Sequence, residues 1–554
     1  MKPLLLRFCL DGTVLMQHEQ SWHPLVDFEW QSGYCFPSDN PQEHSLITRL
    51  CLHVPNIEIT TDHVGAYPLY RASAANGELV IGSAAWDVAR TAGLNEIDAG
   101  AAFELLQFEY VLGDRTLVAG LSELTAACLW QIKWTGSGWT INSTRLWRLT
   151  RNNDLREISF DHDQQLAAEN LRSQIEPIIE TAQDAPKPLA LNLSGGWDSR
   201  ALLGCLYPLG DKHLFTCSYG NPSFNGVRIA KCLSAELHIP NKFAAFEDGE
   251  HLKYDFDALI SAMAPTTRFN LADGGLLVSR QFYPGAFAAC TGHSGDMFTS
   301  LPGSVMDVDI GTPENQKRFL MKNAAGAWPE QVLESLLKTS SRHLAQHGYH
   351  ALGASVAESF QPGLGGYFRW KLENRIRRGV VAELRVLQAH TETIYLPMLQ
   401  RAFLEYWISR SPDRLRNQIL YRQMLASRIF TGKAEPLRKL PREGGGLLTA
   451  TGRWGTAREQ LRKKKNAISR RAFPSLSSTA TMADPTAFWW RENHKLRQFT
   501  LETISQSEFL DQHFQMGNLL SYLEADNRMS PWFARIGIWN MLTLAGVESH
   551  LETS

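Results

Sequence analysis

Apolar and polar residues change places at short range through the first 150 positions of the chain. "PLLLRFCL", "TVLMQH", "ELVIGSA", "CLWQIKW" and "GWTINSTRLW" are short, rich in β-branched or aromatic residues and separated by Gly, Asn or Asp turns, so they predict strands. One helix interrupts them near "DAGAAFELLQFEYVL". The polar stretch "TRNNDLREISFDHD" predicts a linker, and the period then changes: in "QQLAAENLRSQIEPIIETAQ", Leu166, Leu171, Ile175, Ile178 and Ile179 share one helical face. A second domain is expected from here, which divides the chain into 1–150 and 151–554. Strand 189–193, a helix from Ser199, strand "LFTCSYG", helix "GVRIAKCLSAELHI", strand "NKFAAF" and strand "AFAACTG" follow in alternation. That order predicts a parallel sheet with crossovers, whose ligands gather at the carboxyl ends of its strands. Beyond about residue 310 the pattern is mainly helical.

Composition narrows the function classes. The chain has 554 residues, 44% of them hydrophobic, which is enough to bury two or three cores. Lys and Arg number 55 against 57 Asp and Glu, so no net basic field for nucleic acid is implied and a charged partner must be met locally. The eight cysteines are scattered with no C-x-x-C pair, which fits a reducing, cytoplasmic setting. "MKPLLLRFCLDG" is interrupted by Arg7 and reads as a first strand, not a signal peptide, and no apolar run is long enough to span a membrane.

The chemistry concentrates in "LALNLSGGWDSRALLGCL", residues 189 to 206. A buried strand that runs into Ser194-Gly195-Gly196 presents bare backbone N–H groups at the start of the next helix, where an anion is favoured and glycines let a phosphate approach. Asp198 beside phosphates needs a divalent cation between them, so the arrangement suggests Mg2+ on a nucleoside triphosphate, with the Ser194 and Ser199 hydroxyls adding hydrogen bonds. An ordinary glycine turn capped by Asp or Ser has the same spacing.

The order strand, S-G-G-x-D-S, helix resembles the signature loop of the N-type ATP pyrophosphatases, and the β-rich half before it resembles the asparagine synthetase family. "TDHVGAYPLY" (61 to 70) with "ELVIGSAAWDVA" is similar to that family's paired strands around a D-x-x-G-x-x-P-L-Y turn, and "TGHSGDMF" (291 to 298) stands where its G-E-G-x-D-E loop does. The resemblance, over roughly residues 50 to 445, implies an α+β Ntn-hydrolase-like N-terminal domain of β-rich layers, followed by an α/β PP-loop ATP pyrophosphatase domain with a helical C-terminal part. It implies ATP and Mg2+ as cofactors. Leu193, Ser194, Gly195, Gly196, Asp198, Ser199, Tyr219, Gly220, Gly292 and Gly295 would form the nucleotide set, with Asp198 and Asp296 on the metal.

The departures from the family pattern carry further expectations. Glutamine-hydrolysing members expose a cysteine after Met removal; here Lys2 and Pro3 follow, and the nearest thiol, Cys9, falls within the predicted first strand, so no glutaminase is expected. Met297 replaces the second acid of the second loop and His293 stands where relatives carry Glu, as a catalyst or a simple hydrogen-bonding residue. In "ETIYLPML", similar to the family's E-x-R-x-P-F-L, Glu392 comes one position early and is the candidate acid for deprotonating an amine; a solvent-facing Glu is the other reading. The pyrophosphate-side lysine of the family should fall within "PLRKLPREGGG" (436 to 446), which leaves Lys439 or Arg442 to neutralise leaving-group charge, with Arg442 as the catalytic candidate.

These features imply an ATP-dependent amide ligase that releases AMP and pyrophosphate. Branches without the cysteine include the lasso-peptide macrolactam synthetases, which "GHSGD" followed by Pro302 and the long helical C-terminus resemble most. The partner would then be a peptide or small-molecule carboxylate, in the first case a precursor peptide with its leader protease. "SGGWDSR" with Arg200 is also similar to homologues associated with cell-envelope polysaccharide, which would amidate a sugar acid, and Met297 with Gln418 leaves a non-catalytic nucleotide binder as a third reading. The basic stretch 453–471 reads as a solvated face or as a docking strip for an acidic partner.

Overall fold

The computed structural model describes residues 3–19, 21–34, 46–152, 158–222, 224–245, 249–262, 265–268, 272–301, 309–324, 328–440, 489–490, 492–524 and 531–553. Two antiparallel sheets precede residue 150, and one parallel sheet with surrounding helices follows. The first sheet runs Ser21–Leu25, Val14–His18, Leu5–Phe8, Leu79–Gly82, Tyr70–Ser73, Ser122–Glu123 in spatial order; the second runs Trp139–Arg145, Cys128–Trp134, Asn56–Thr60, Leu46–His53, Asp27–Tyr34. Alternation along the first strand decides how they stack. Leu6 and Phe8 meet Trp30, Leu50, Leu52, Ile57 and Ile59 in a core between the sheets, while Leu5, one residue out of phase, turns to the larger core on the other side.

Every strand predicted in the first 150 residues is present, although Cys9 lies just past the end of Leu5–Phe8. The missed strands, such as Asp27–Tyr34, carry polar residues at the outward positions: Trp30, Ser32 and Tyr34 are buried, and Glu29 and Gln31 face solvent. The single helix predicted over 164–183 is two, Phe160–Ser173 and Glu176–Asp184. Pro177 cannot donate within a continuous helix, and it sits instead in the first turn of the second one. No helix among the described residues is long and apolar enough to cross a membrane.

The parallel sheet has the order Asn241–Ala245, Leu214–Gly220, Leu189–Asn192, Ala288–Cys290, Ile394–Tyr395. Successive strands are laid down on one side of Leu189–Asn192 before the chain crosses to the other, so the switch point lies between Leu189–Asn192 and Ala288–Cys290. A crevice opens there at the carboxyl ends.

Both halves of the chain share the larger core, which extends from Leu5 to Leu551. At its centre Glu123, fully buried on the last strand of the first sheet, meets Arg377 at 2.9 Å, Arg378 at 2.8 Å and Arg385 at 3.2 Å. Arg377 and Arg378 stand on the π-helical segment Lys371–Val381. Tyr67 and Tyr34 add a second set of ties: their hydroxyls accept from the backbone N–H groups of Ile394 at 3.1 Å and Leu396 at 3.2 Å. The first half therefore grips the segment that forms the last parallel strand and the turn after it.

Burial alone would raise the Glu123 carboxyl, but Arg385, Arg377 and Arg378 overcome it and hold the group at about 2, against an ordinary 4.5. A depressed carboxylate contributes stability above its unfolded value and loses it as the pH falls toward the folded one, an amount of about 3 kcal/mol for this shift. Glu123→Gln leaves the buried Arg378 and Arg385 without their paired carboxylate and Arg377 with Asp114 alone, and is expected to cost about 3–5 kcal/mol at pH 7. Urea unfolding at pH 7 and pH 3 checks it: the gap between wild type and variant should shrink at the lower pH, and a gap independent of pH refutes the ionic account.

Candidate functional site

The strand Leu189–Asn192 is apolar because it is covered on both faces, and it delivers its polar continuation to the crevice. The turn that follows is tied by its own hydroxyls. Ser194 N–H donates to Ser199 Oγ at 3.1 Å, Gly196 N–H donates to Ser194 Oγ at 3.1 Å, and Ser199 Oγ donates to the Ser194 carbonyl at 3.2 Å. Gly196 caps the helix Trp197–Leu206, which places Asp198 in its first turn. Ser218 Oγ donates to the Leu193 carbonyl at 3.0 Å and fixes the turn to the next strand.

A second turn comes from the neighbouring strand Ala288–Cys290. Thr291, Gly292, His293 and Ser294, the last with φ of 71°, lead into the short helix Gly295–Thr299. Two glycines allow it to lie against the first turn. A Cβ on Gly292 would fall 2.8 Å from the Asp198 carbonyl carbon, and one on Gly295 would fall 2.7 Å from Asp198 Cγ and collide with Met398 Sδ. The approach is close enough for Asp296 N–H to donate to Asp198 Oδ2 at 2.8 Å. Asp198 and Asp296 are thus neighbours, 98 positions apart in sequence.

Between the turns lies a cavity of about 340 Å3, within the range of small-ligand sites. Leu193, Ser194, Gly196, Asp198, Ser199, Tyr219, Gly292 and Asp296 line it, all expected from sequence, and Asn192, Phe224, Val227 and His293 complete it. Gly195 lies beside it, with its carbonyl accepting from Arg200 Nη2 at 3.1 Å. Gly220 ends the strand Leu214–Gly220 with φ of 127°, and Gly295 holds the second turn against Asp198.

The electrostatics are set by burial. His293 is pushed down to about 4 by loss of water, only partly opposed by the Asp296 charge, and its Nδ1 pairs with the Thr291 hydroxyl. The ring is neutral at pH 7. Tyr421 faces Asp198 from behind, and burial followed by that carboxylate's charge holds its phenol well above the usual range. Lys371, also buried, is lowered to about 7 by desolvation and then by Arg375, with Asp296 acting against them. Its Nζ donates to the Met297 carbonyl at 2.7 Å.

One expectation is not met by placement. Glu392 is exposed and precedes the strand Ile394–Tyr395, so it stands at the amino end of the sheet while the cavity is at the carboxyl end. Its solvent-facing reading is the one the structure supports, since one turn of backbone cannot carry it across the sheet. Lys439 is exposed and pairs with Glu435 at 3.5 Å. Arg442 and the basic stretch 453–471 lie outside the described residues. The chain reaches that point beside the first turn, because Arg200 donates to the Leu437 carbonyl at 3.0 Å and the Leu440 carbonyl at 2.7 Å.

Sequence reading missed Arg200 as an anchor, and also Tyr421 and Lys371. The signal for the last was present: "FRWKLENRIRRG" puts a lysine between two residues that are apolar or aromatic, in a run where a surface helix would alternate.

The residues fit a divalent cation held jointly with phosphates. Asp198 and Asp296, with the hydroxyl-bearing Ser194 and Ser199, line one cavity, and Mg2+ takes one or two protein carboxylates plus phosphate oxygens. Among the described residues no group of three or more His, Cys, Asp or Glu could hold a metal without such a ligand. No protein-family model and no curated protein sequence matches this chain.

The packing of the two turns is testable by itself. Gly295→Ala should lower stability by about 1–3 kcal/mol through overpacking against Asp198 and Met398. In the background of Met398→Ala, which removes one of the two obstacles, the further loss caused by Gly295→Ala in thermal unfolding should be smaller than in wild type. A single variant as stable as wild type contradicts the close approach.

Proposed function

We propose that the chain is an ATP-dependent amide ligase that activates a carboxylate as its adenylate, within an Ntn-hydrolase-like and PP-loop architecture similar to that of the asparagine synthetases. The observation that carries this reading is the meeting of Asp198 and Asp296 at the mouth of two glycine turns, at the switch point of a parallel sheet. The start of the helix Trp197–Leu206, with the Ser194 and Ser199 hydroxyls, would receive phosphate oxygens, and Asp198 with Asp296 would hold Mg2+. When bound, Mg2+ neutralises charge on the departing pyrophosphate.

A carboxylate oxygen attacks the α-phosphorus and pyrophosphate leaves. An amine nitrogen then attacks the acyl carbon, AMP leaves with the bonding pair, and the proton given up by the amine passes with the AMP to solvent. His293, neutral at pH 7, contributes hydrogen bonding at the cavity wall without adding a charge beside the carboxylates. The walls formed by the second half, backed by the first, keep water from the adenylate.

The amine source is the substrate itself. The Cys9 thiol is pushed up by burial and then by Glu78, which suits a structural residue and not a nucleophile. With no ammonia from glutamine, an amine carried by the activated molecule has the advantage of effective concentration. A peptide closing its Asp or Glu side chain on its N-terminus meets that requirement; a sugar acid with a separate amine is the alternative outcome.

Exchange of labelled pyrophosphate into ATP, dependent on a carboxylate partner, tests the ligase. Asp198→Ala should fold and lose exchange on the order of a thousandfold. Glutamine should yield no glutamate. A folded Asp198→Ala protein with wild-type exchange sinks the assignment, and nucleotide binding without exchange under any carboxylate leaves the chain a binding protein.

A further inference from the structure

Lys371 has no part in the reaction as written, yet its placement is costly. The side chain is buried, and a lysine in such a place loses hydration that an aliphatic residue would not miss. What it gains is one strong contact: Nζ to the Met297 carbonyl at 2.7 Å, with the Tyr367 ring 5.4 Å away. Met297 belongs to the five-residue helix Gly295–Thr299, too short to pair all its own carbonyls. The neighbouring residue is Asp296, whose N–H donates to Asp198.

Two contacts therefore hold the short helix. Lys371 grips it by the Met297 carbonyl, and Asp198 grips it by the Asp296 N–H. Lys371 itself is not part of the cavity wall. We propose that Lys371 is a positioning residue, which clamps the helix Gly295–Thr299 so that Asp198 and Asp296 act as one cation-binding pair. The assignment rests on the reading of that pair as the Mg2+ site.

The lysine's fixed place also separates geometry from charge. An ammonium behind two carboxylates repels a divalent cation, so if charge were its whole effect, removing it would tighten Mg2+. If the clamp is its effect, removing it loosens the pair and weakens Mg2+, by about 10–100-fold for groups that orient a metal ligand from behind. The two accounts predict opposite signs.

The experiment uses the full chain with Lys371→Met and Lys371→Gln, both uncharged, the second retaining a donor. MgCl2 is titrated against fixed ATP, with tryptophan fluorescence reporting binding and thermal unfolding reporting the fold. Lys371→Met is expected to raise the Mg2+ concentration for half-maximal binding at least about tenfold and Lys371→Gln by less, while ATP binding without Mg2+ stays as in wild type. Should Lys371→Met fail to fold, the sign of the shift in Lys371→Gln decides alone. An unchanged or lowered Mg2+ requirement overturns the clamp and leaves the ligase reading standing. Wild-type protein that binds ATP with no dependence on Mg2+ removes the cation pair, and the clamp with it.

Discussion

A carboxylate shut away from water stays ionised only if cations surround it, and Glu123 has three. Arg377, Arg378 and Arg385 come from a different part of the chain, more than 250 positions on, so the first half cannot satisfy its own buried charge. The requirement runs in both directions, since the arginines are equally without water. This mutual need fixes the segment Lys371–Val381 against the first sheet, and π-helical geometry there presents Arg377 and Arg378 side by side. Hydrophobic contact could have joined the halves in several ways. A buried charge cluster admits one.

The consequences extend to the cavity. The segment that carries the two arginines begins with Lys371, whose ammonium reaches the Met297 carbonyl, and the first half also holds Ile394 and Leu396 through two tyrosine hydroxyls. Met398, two residues past Leu396, packs where a Gly295 side chain would be. The second turn is thus pressed between Asp198, Met398 and Lys371, and its position depends on contacts made in the first half. The first half thus has a physical task, which is to set the frame in which Asp198 and Asp296 come together.

The cavity's charges show how burial can be used selectively. His293 and Lys371 are both lowered, the first enough to be neutral at pH 7, the second to about 7, because each loses water near carboxylates that only partly compensate. The exposed Asp296 and half-buried Asp198 face the opening between them. Negative charge collects at the mouth, while the His293 ring in the wall is neutral. A divalent cation with its phosphates is the kind of partner that such a gradient favours.

Strands with alternating burial, the Ser194–Gly196 turn, the helix after it and the parallel order of the second sheet were all legible in the chain, because each depends on residues within a few positions of one another. Ser194 and Asp198 could be named for the same reason, as they stand beside glycines that mark a turn, whereas Leu193 and Asp296 were named through the resemblance of their loops to those of a known family. Glu392 was misjudged by that local logic: its distance from "YLPML" says nothing of which end of the strand the cavity lies on, and only the sheet's direction tells. Glu123, Arg200 and Tyr421 have no local signature at all, and that of Lys371 marks burial without naming its partner. Their roles come from partners tens to hundreds of positions away, and burial sets the cost of leaving them alone. Sequence by itself determined the elements and the residue types at their ends; tertiary structure decided which ends meet, because a charge taken out of water must find its partner in space, wherever along the chain that partner is.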